Sequence, residues 1–465
     1  MDGVGPPRGR DRRRLTTLAL VTTVGAVVSS LGAPLVPSIA QEYDVSLSSA
    51  QWALTATLLT GAVATPVIGR LGSGRWRRPA MLAGIAAVLV GTLVAALPLG
   101  YVALVAGRAL QGVGLALVPL ALAIARDAYT GTEQARVLAL LSVTTVAGAG
   151  LGYPVTALVA QVAGLHGAYV FGSALVAVTL LRALRDVPAD LDVDRQPVDL
   201  LGAVLLTTGT LALLLAISQG SSWGWTSPAT LALLACGVVV YPVWVAWTLR
   251  SAHPIVDLRL AGRPGVVGPH AVSLVLGVGM YGLLSLAVVV VRADGSAGFG
   301  LGLGVAAAGL VLVPYSVMSV AGSQGARRLE RRFGSRVLLP LGCSSFAASL
   351  ALLAWRHEHL WQVLLAMAVG GLGSGLSFAS LAGLIVPHVP ASETGSAMSF
   401  NQLLRYLGFS TGSAVSVPLV EVYGGDGAGL TAALATLAAV CLVAGAVAVL
   451  RRRVPGATGL SAPSA

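Results

Sequence analysis

The chain has 465 residues, of which 56% are hydrophobic and only 10% charged, with a net charge of +11. That balance excludes an ordinary soluble domain, about a quarter of which is charged, and the polar connections are too short to fold as a separate catalytic domain. All 29 basic residues are arginine; the absence of lysine points to genome base composition, and the charge reads as membrane topology, not as affinity for nucleic acid.

Fourteen stretches approach the length of a membrane span, near 15–40, 49–69, 79–99, 101–125, 137–163, 167–183, 200–219, 228–249, 265–291, 299–324, 337–355, 360–386, 397–420 and 428–450. A spanning helix needs about 20 apolar residues and satisfies its backbone groups internally. The chain is therefore predicted to be an all-α integral membrane protein. The first stretch lacks a small-residue cleavage site and reads as a retained span. With the N-terminus inside, 25 arginines fall in tails or cytoplasmic loops, Arg292 and Arg356 fall outside, and Arg108 and Arg405 fall within spans. This asymmetry predicts a multi-pass protein of the cell membrane with both termini cytoplasmic.

Residues 1–14 form a basic tail ahead of span 1. The end of span 1 and the start of span 2 read Leu35-Val36-Pro37-Ser38-Ile39-Ala40, Val45-Ser46, Ser49-Ala50-Gln51-Trp52 and Thr55 to Leu59. This run resembles the matching region of the fourteen-span drug:proton antiporters of the major facilitator superfamily. The resemblance extends along the chain through span count, internal repeat and loop motifs. It implies a major facilitator fold and multidrug or antibiotic efflux. The family pattern places an aspartate in span 1, nine residues before the proline matched to Pro37; that position is Val28 here.

The loop from Gly69 to Arg78 resembles the family's cytoplasmic gating loop, without its usual aspartate. The resemblance implies that Arg75, Arg77 or Arg78 pairs with Asp127, at the end of span 4, and latches the outward-open state. Positive-inside charge alone also accounts for these arginines. In span 4, Gly107-Arg108-Ala109-Leu110-Gln111-Gly112 resembles the superfamily's Arg-x-x-Gln-Gly motif. An arginine within the membrane costs ~2.5–3.5 kcal/mol on insertion scales, so Arg108 is expected to face the cavity, paired or hydrated, with Gln111 beside it. The resemblance implies a part in proton transfer; the alternative is a structural arginine bonded to backbone carbonyls. In span 5, Gly148-x-x-x-Gly152 resembles the antiporter motif, with its proline displaced to Pro154 and Thr156-Ala157 in place of the family's last two glycines. Small-residue packing alone is the alternative.

The chain repeats at an offset of about 260 residues: Gly112-Val113-Gly114-Leu115 parallels Gly373-Ser374-Gly375-Leu376, Gly148 and Gly152 parallel Gly408 and Gly412, and Gly74 parallels Gly334. This pairs spans 1–6 with spans 9–14. It predicts an N-terminal six-helix bundle over 15–183, a linker with inserted spans 7 and 8 over 184–264, a C-terminal six-helix bundle over 265–450 and a cytoplasmic tail over 451–465. Two such bundles related by an axis along the membrane normal are a transporter architecture, with substrate between them near the midplane. The inserted hairpin has no counterpart in the repeat and is expected beside the bundles, away from the cavity.

Further polar candidates are His270 in span 9, and Asn401, Gln402 and Arg405 in span 13. His270 also reads as an interfacial histidine, and Arg405 as a partner of carbonyls or of Glu393. No Asp or Glu lies deep in any span, so neutral or anionic substrates are expected over cations. The three cysteines offer no metal spacing and no disulfide pattern.

The expectation is a secondary active transporter, not an enzyme. It exports a hydrophobic, drug-like or antibiotic small molecule by alternating access, with protons as the coupling ion that the resemblance implies. Its partners are that substrate and membrane lipid; no cofactor, metal or nucleic acid is expected, and the chain is read as a monomer. Rival readings are a non-transporting membrane sensor or scaffold derived from a transporter, an uptake system, and a proton-independent facilitator. A polytopic membrane enzyme would need clustered intramembrane acids, histidines or metal ligands.

Overall fold

The apolar runs close into helices throughout. The computed structural model describes residues 9–32, 35–45, 47–50, 52–71, 76–187, 199–296, 298–334, 337–390 and 393–450, and every regular element among them is helical. The first half comprises α1 (Gly9–Ser30), α2 (Val36–Glu42), α3 (Leu47–Ala50), α4 (Trp52–Leu71), α5 (Arg77–Ala96), α6 (Tyr101–Gly112), α7 (Leu117–Ala128) and α8 (Gly131–Asp186). The inserted pair is α9 (Leu200–Trp223) and α10 (Pro228–Thr248), followed by the short α11 (Leu258–Ala261). The second half comprises α12 (Pro264–Arg292), α13 (Val305–Leu310), α14 (Leu312–Phe333), α15 (Leu338–Trp355), α16 (Leu360–Ile385), α17 (Thr394–Val422) and α18 (Gly427–Leu450).

Local chemistry sets the breaks. Gly164, at φ 72° and ψ −178°, divides α8 into two arms; a side chain at that backbone conformation is strained, and glycine is not. The second arm packs on α5 while α1 packs along α8, so this single residue joins two neighbouring spans. Asp199 caps α9 by accepting from the Gly202 N–H at 2.8 Å. Ser227 caps α10 by accepting from the Thr230 N–H at 3.3 Å, with Pro228 in the first turn. Eleven of the described helical stretches are long and apolar enough to cross a membrane. α1, α17 and most of the first arm of α8 are helical and lie outside that set.

The two halves repeat the same packing. α1 on α8, α4 on α6, α5 on α6 and α5 on α8 in the first half correspond to α12 on α17, α14 on α16, α15 on α16 and α15 on α18 in the second. The register of the repeat in span 4 differs from the sequence reading. A Cβ on Gly112 would lie 2.3 Å from the Thr57 carbonyl oxygen and 3.1 Å from the Gly61 nitrogen of α4. The glycine in that relation to α14 is Gly375, 2.1 Å from the Ser319 oxygen and 2.6 Å from the Ser323 nitrogen, while Gly373 faces Gly342 of α15. The pairing of Gly112 with Gly373 is thus two residues short, because several glycines share the helix and only one face meets the matching neighbour.

Glycine also sets the approach of α17 to α12. A Cβ on Gly408 would lie 2.1 Å from the Leu274 oxygen, and one on Gly412 would lie 2.3 Å from the Val278 oxygen. The obstacle is backbone, which cannot rotate away. Gly408→Val is expected to destabilise the second half by at least the ~1–3 kcal/mol typical of overpacking. Gly268→Ala in α12, with nothing within 4 Å of its added Cβ, is the matched control. Thermal unfolding of both purified variants checks this.

The inserted pair packs beside both halves. α9 packs against α4 of the first half and α17 of the second. Trp244 of α10 is 3% exposed and clusters with Leu206, Leu214, Leu59 and Leu403. Its ring lies 6.5 Å from that of Phe400. Trp223 and Trp247 remain exposed, at 45% and 39%. The hairpin therefore sits on the seam between the halves with one tryptophan buried in it.

Candidate functional site

Arg108 is fully buried within α6. Its neighbours on that helix let it be so. Gly107 brings α6 against α5, where a Cβ would lie 2.5 Å from the Gly91 oxygen, and Gly112 brings the next turn against α4. The guanidinium then reaches three elements. Nε donates to the Ala53 carbonyl of α4 at 3.1 Å, and Nη1 donates to the Val28 carbonyl of α1 at 3.2 Å and to Gln111 Oε1 at 2.5 Å. Gln111 Nε2 in turn donates to the Gly91 carbonyl of α5 at 3.3 Å. Thr57 Oγ1 donates to the Arg108 carbonyl at 2.9 Å. Arg108 is therefore a clamp on helix carbonyls. Its partner at Val28, the position of the family's span-1 aspartate, is a main-chain oxygen.

Arg405 occupies the other half and a different environment. It is only part-buried, with its guanidinium 4.5 Å above the Phe378 ring of α16. Nη2 donates to Gln402 Oε1, and Gln402 Nε2 donates to the Tyr406 hydroxyl at 2.9 Å. Nε is buried with no hydrogen-bond partner. One turn further along α17, Tyr281 of α12 stacks on Phe409 at 4.5 Å, and Phe409 meets Tyr406 edge-on at 5.8 Å. Tyr315 of α14 and Tyr406 lie within electrostatic reach of the guanidinium. Tyr153 of α8 packs against the buried cluster that contains Tyr315. The aromatic cluster thus draws on both halves. Tyr406 and Phe409 sit three residues apart on α17, but Tyr281, Tyr315 and Phe378 come from three other helices, and no sequence spacing connects them to that pair.

The third group joins His270 of α12 to Asn401 of α17. Ser273 Oγ donates to Asn401 Oδ1 at 3.2 Å, and Asn401 Nδ2 lies 3.1 Å from His270 Nδ1. With the amide in that orientation Nδ1 accepts, so the neutral ring carries its proton on Nε2. Nε2 is buried with no hydrogen-bond partner. The His270 ring packs edge-on against Phe400 at 5.2 Å. His270 is buried, at 3% exposed.

The motif residues divide as follows. Gly69 lies buried in the last turns of α4. Arg75 lies outside the described residues, and so does the side chain of Asp127. Arg77 is buried at the start of α5, and Arg78 Nη2 donates to the Leu184 carbonyl at 3.2 Å. Gln134, which carried no sequence signal, donates to the Tyr129 carbonyl at 3.0 Å and to that of Arg126, closing the end of α7 that bears Asp127. Gly148, Gly152 and Pro154 lie in the first arm of α8, which runs through Pro154 without a break in helical conformation; Gly152 is buried. Among the described residues, no group of three or more His, Cys, Asp or Glu is arranged to hold a metal ion.

The family model described as Major Facilitator Superfamily matches residues 18–296 and 271–464. The cephamycin export protein CmcT of Amycolatopsis lactamdurans is 27% identical over 436 residues, covering 90% of this chain and 87% of that protein. The multidrug efflux pump LfrA of Mycolicibacterium smegmatis is 29% identical over 409 residues, covering 86% and 79%. The chain spans 60% of the length of an uncharacterized transporter of Mycobacterium tuberculosis that is 28% identical. Among solved structures, the human organic anion transporter MFSD10 matches with a TM-score of 0.66 at 18% identity, over 96% of this chain and all of that one.

Proposed function

Because this chain belongs to the Major Facilitator Superfamily, a family of transporters and not of enzymes, we propose that it is a secondary active exporter of a hydrophobic, drug-like or antibiotic small molecule, working by alternating access and proton antiport. The observation that carries the reading is the aromatic and arginine cluster on the seam, where Arg405, Phe378, Tyr281, Tyr406 and Phe409 of α12, α16 and α17 gather beside Leu59 of α4. Its mixed apolar and polar lining suits a drug-sized solute. Similarity to an antibiotic exporter and a multidrug pump supports the direction of transport. The test is a drug-hypersensitive, efflux-deleted host carrying the chain or an empty vector, challenged with a compound panel. Lower accumulation of a subset of hydrophobic compounds is the expected result; identical susceptibility to every compound would remove the export reading.

Proton antiport needs a group that binds and releases a proton within the membrane. The acids at the ends of spans, such as Glu42, Asp44 and Glu421, are exposed. His270 is the histidine set inside a described span, its polar contacts drawn from α12 and α17. Imidazole is a side chain able to take up and release a proton, and we assign it the exchange. An inner latch between the basic residues at 75–78 and Asp127 belongs to the same proposal.

The proposed topology has fourteen crossings with both termini in the cytoplasm. In a cysteine-free background, a cysteine at Trp223, 45% exposed, is expected to react with an impermeant maleimide on sealed cells. One at Phe333, 58% exposed, is expected to react only after permeabilisation. The reverse pattern would invert the orientation.

A further inference from the structure

Arg108 and Arg405 are both intramembrane arginines; each keeps one buried nitrogen without a partner, Nη2 of Arg108 and Nε of Arg405, but they differ in the acceptors they meet. Arg108 spends its donors on the carbonyls of Val28 and Ala53 and on Gln111. Arg405 has one neutral acceptor, Gln402, and one ring face, Phe378. Its Nε is buried and unpartnered. The acids of its own helix region, Glu393 and Glu421, lie roughly 18 and 24 Å away along the axis at ~1.5 Å per residue. The ion pairs found among the described residues, His166 with Glu42 and Arg356 with Glu358, lie elsewhere. The charge of Arg405 is thus uncompensated, at a place where a cation is costly. A cation–π contact offsets part of that cost; an oxyanion would offset more.

The surroundings fix the shape of that anion. Tyr281 and Phe409 are stacked at 4.5 Å, with an interplanar angle of 29°. Tyr406 closes one edge of the stack through its T-shaped contact with Phe409. Flat ring systems pack on such faces, and a guanidinium with free donors takes a carboxylate through paired N–H bonds. A cationic ring compound would meet like charge in a low dielectric.

We propose that Arg405 is the anchor of a substrate subsite for aromatic carboxylates, the carboxylate on the guanidinium and the rings against Tyr281 and Phe409. This rests on the export reading and narrows its substrate class. The test is binding to the purified full chain in lipid nanodiscs, using three probes of one size: 2-naphthoate, neutral 2-naphthamide and cationic 2-naphthylmethylammonium. The wild type is expected to bind naphthoate at least about tenfold more tightly than either other probe. Arg405→Gln is expected to lose that preference. Arg405→Lys, which keeps the charge without the planar fork, is expected to retain a reduced preference, and thermal unfolding of both variants reports an intact fold. Equal wild-type affinity for anion and cation, or an undiminished preference in Arg405→Gln, overturns the proposal. The two readings fail separately. Naphthoate binding without efflux of any compound from cells sinks export alone, and efflux of cations without naphthoate binding sinks the anion subsite alone.

Discussion

Arg108→Ala is expected to abolish export and to lower the thermal stability of the protein. The sequence alone suggests that removing an intramembrane charge relieves ~2.5–3.5 kcal/mol of insertion cost and leaves folding intact. The structure reverses that sign. The guanidinium ties α6 to α1 through the Val28 carbonyl and to α4 through the Ala53 carbonyl, and it orients Gln111 toward α5. Three charge-assisted bonds at ~1.5–3 kcal/mol each outweigh the relief, even though the helix carbonyls keep their own partners. A net loss of about 2–4 kcal/mol is expected, in the range of a broken buried network. Arg108→Lys is also expected to lose most activity, because a single ammonium cannot reach acceptors on two helices and Gln111 together. Thermal unfolding in detergent, alongside efflux from cells, measures both effects. An alanine variant with wild-type unfolding and wild-type efflux would reduce Arg108 to a packing residue.

His270→Gln is expected to uncouple transport from protons while leaving the carrier able to move substrate downhill. Glutamine can still offer an acceptor to Asn401, which lies 3.1 Å from Nδ1 in the wild type, but it cannot take up a proton. Vesicles containing the variant should equilibrate substrate and fail to concentrate it under an imposed pH gradient, a loss of at least tenfold in accumulation. Undiminished gradient-driven accumulation would take the exchange away from His270. Loss of downhill movement as well would make it a packing residue for α12 and α17.

The helical segments were legible because a span must be long and apolar, and little else in a sequence is. Arg108, Arg405 and His270 stood out for the opposite reason, as costly side chains in an apolar background. What the sequence could not carry is where main-chain atoms lie. The acceptors of Arg108 are carbonyls of Val28 and Ala53, which any residue type would supply. The repeat register failed at Gly373 because glycine marks a close approach without saying to which helix. The hairpin read as peripheral because α10 is apolar nearly all round, and neither face announces that Trp244 meets Phe400 on the seam. The aromatic cluster near Arg405 joins the α17 pair Tyr406 and Phe409 to Tyr281 of α12 and Phe378 of α16, which only the packing brings together.

The central claim is that this chain couples the export of a small molecule to protons. It is tested most directly by transport into vesicles reconstituted with the purified protein, using a compound selected by the susceptibility panel. With the vesicle interior acidified, substrate is expected to accumulate against its gradient, and with the pH gradient inverted it is expected to be depleted. A rate and final distribution of substrate that ignore the sign of the imposed gradient would contradict proton antiport.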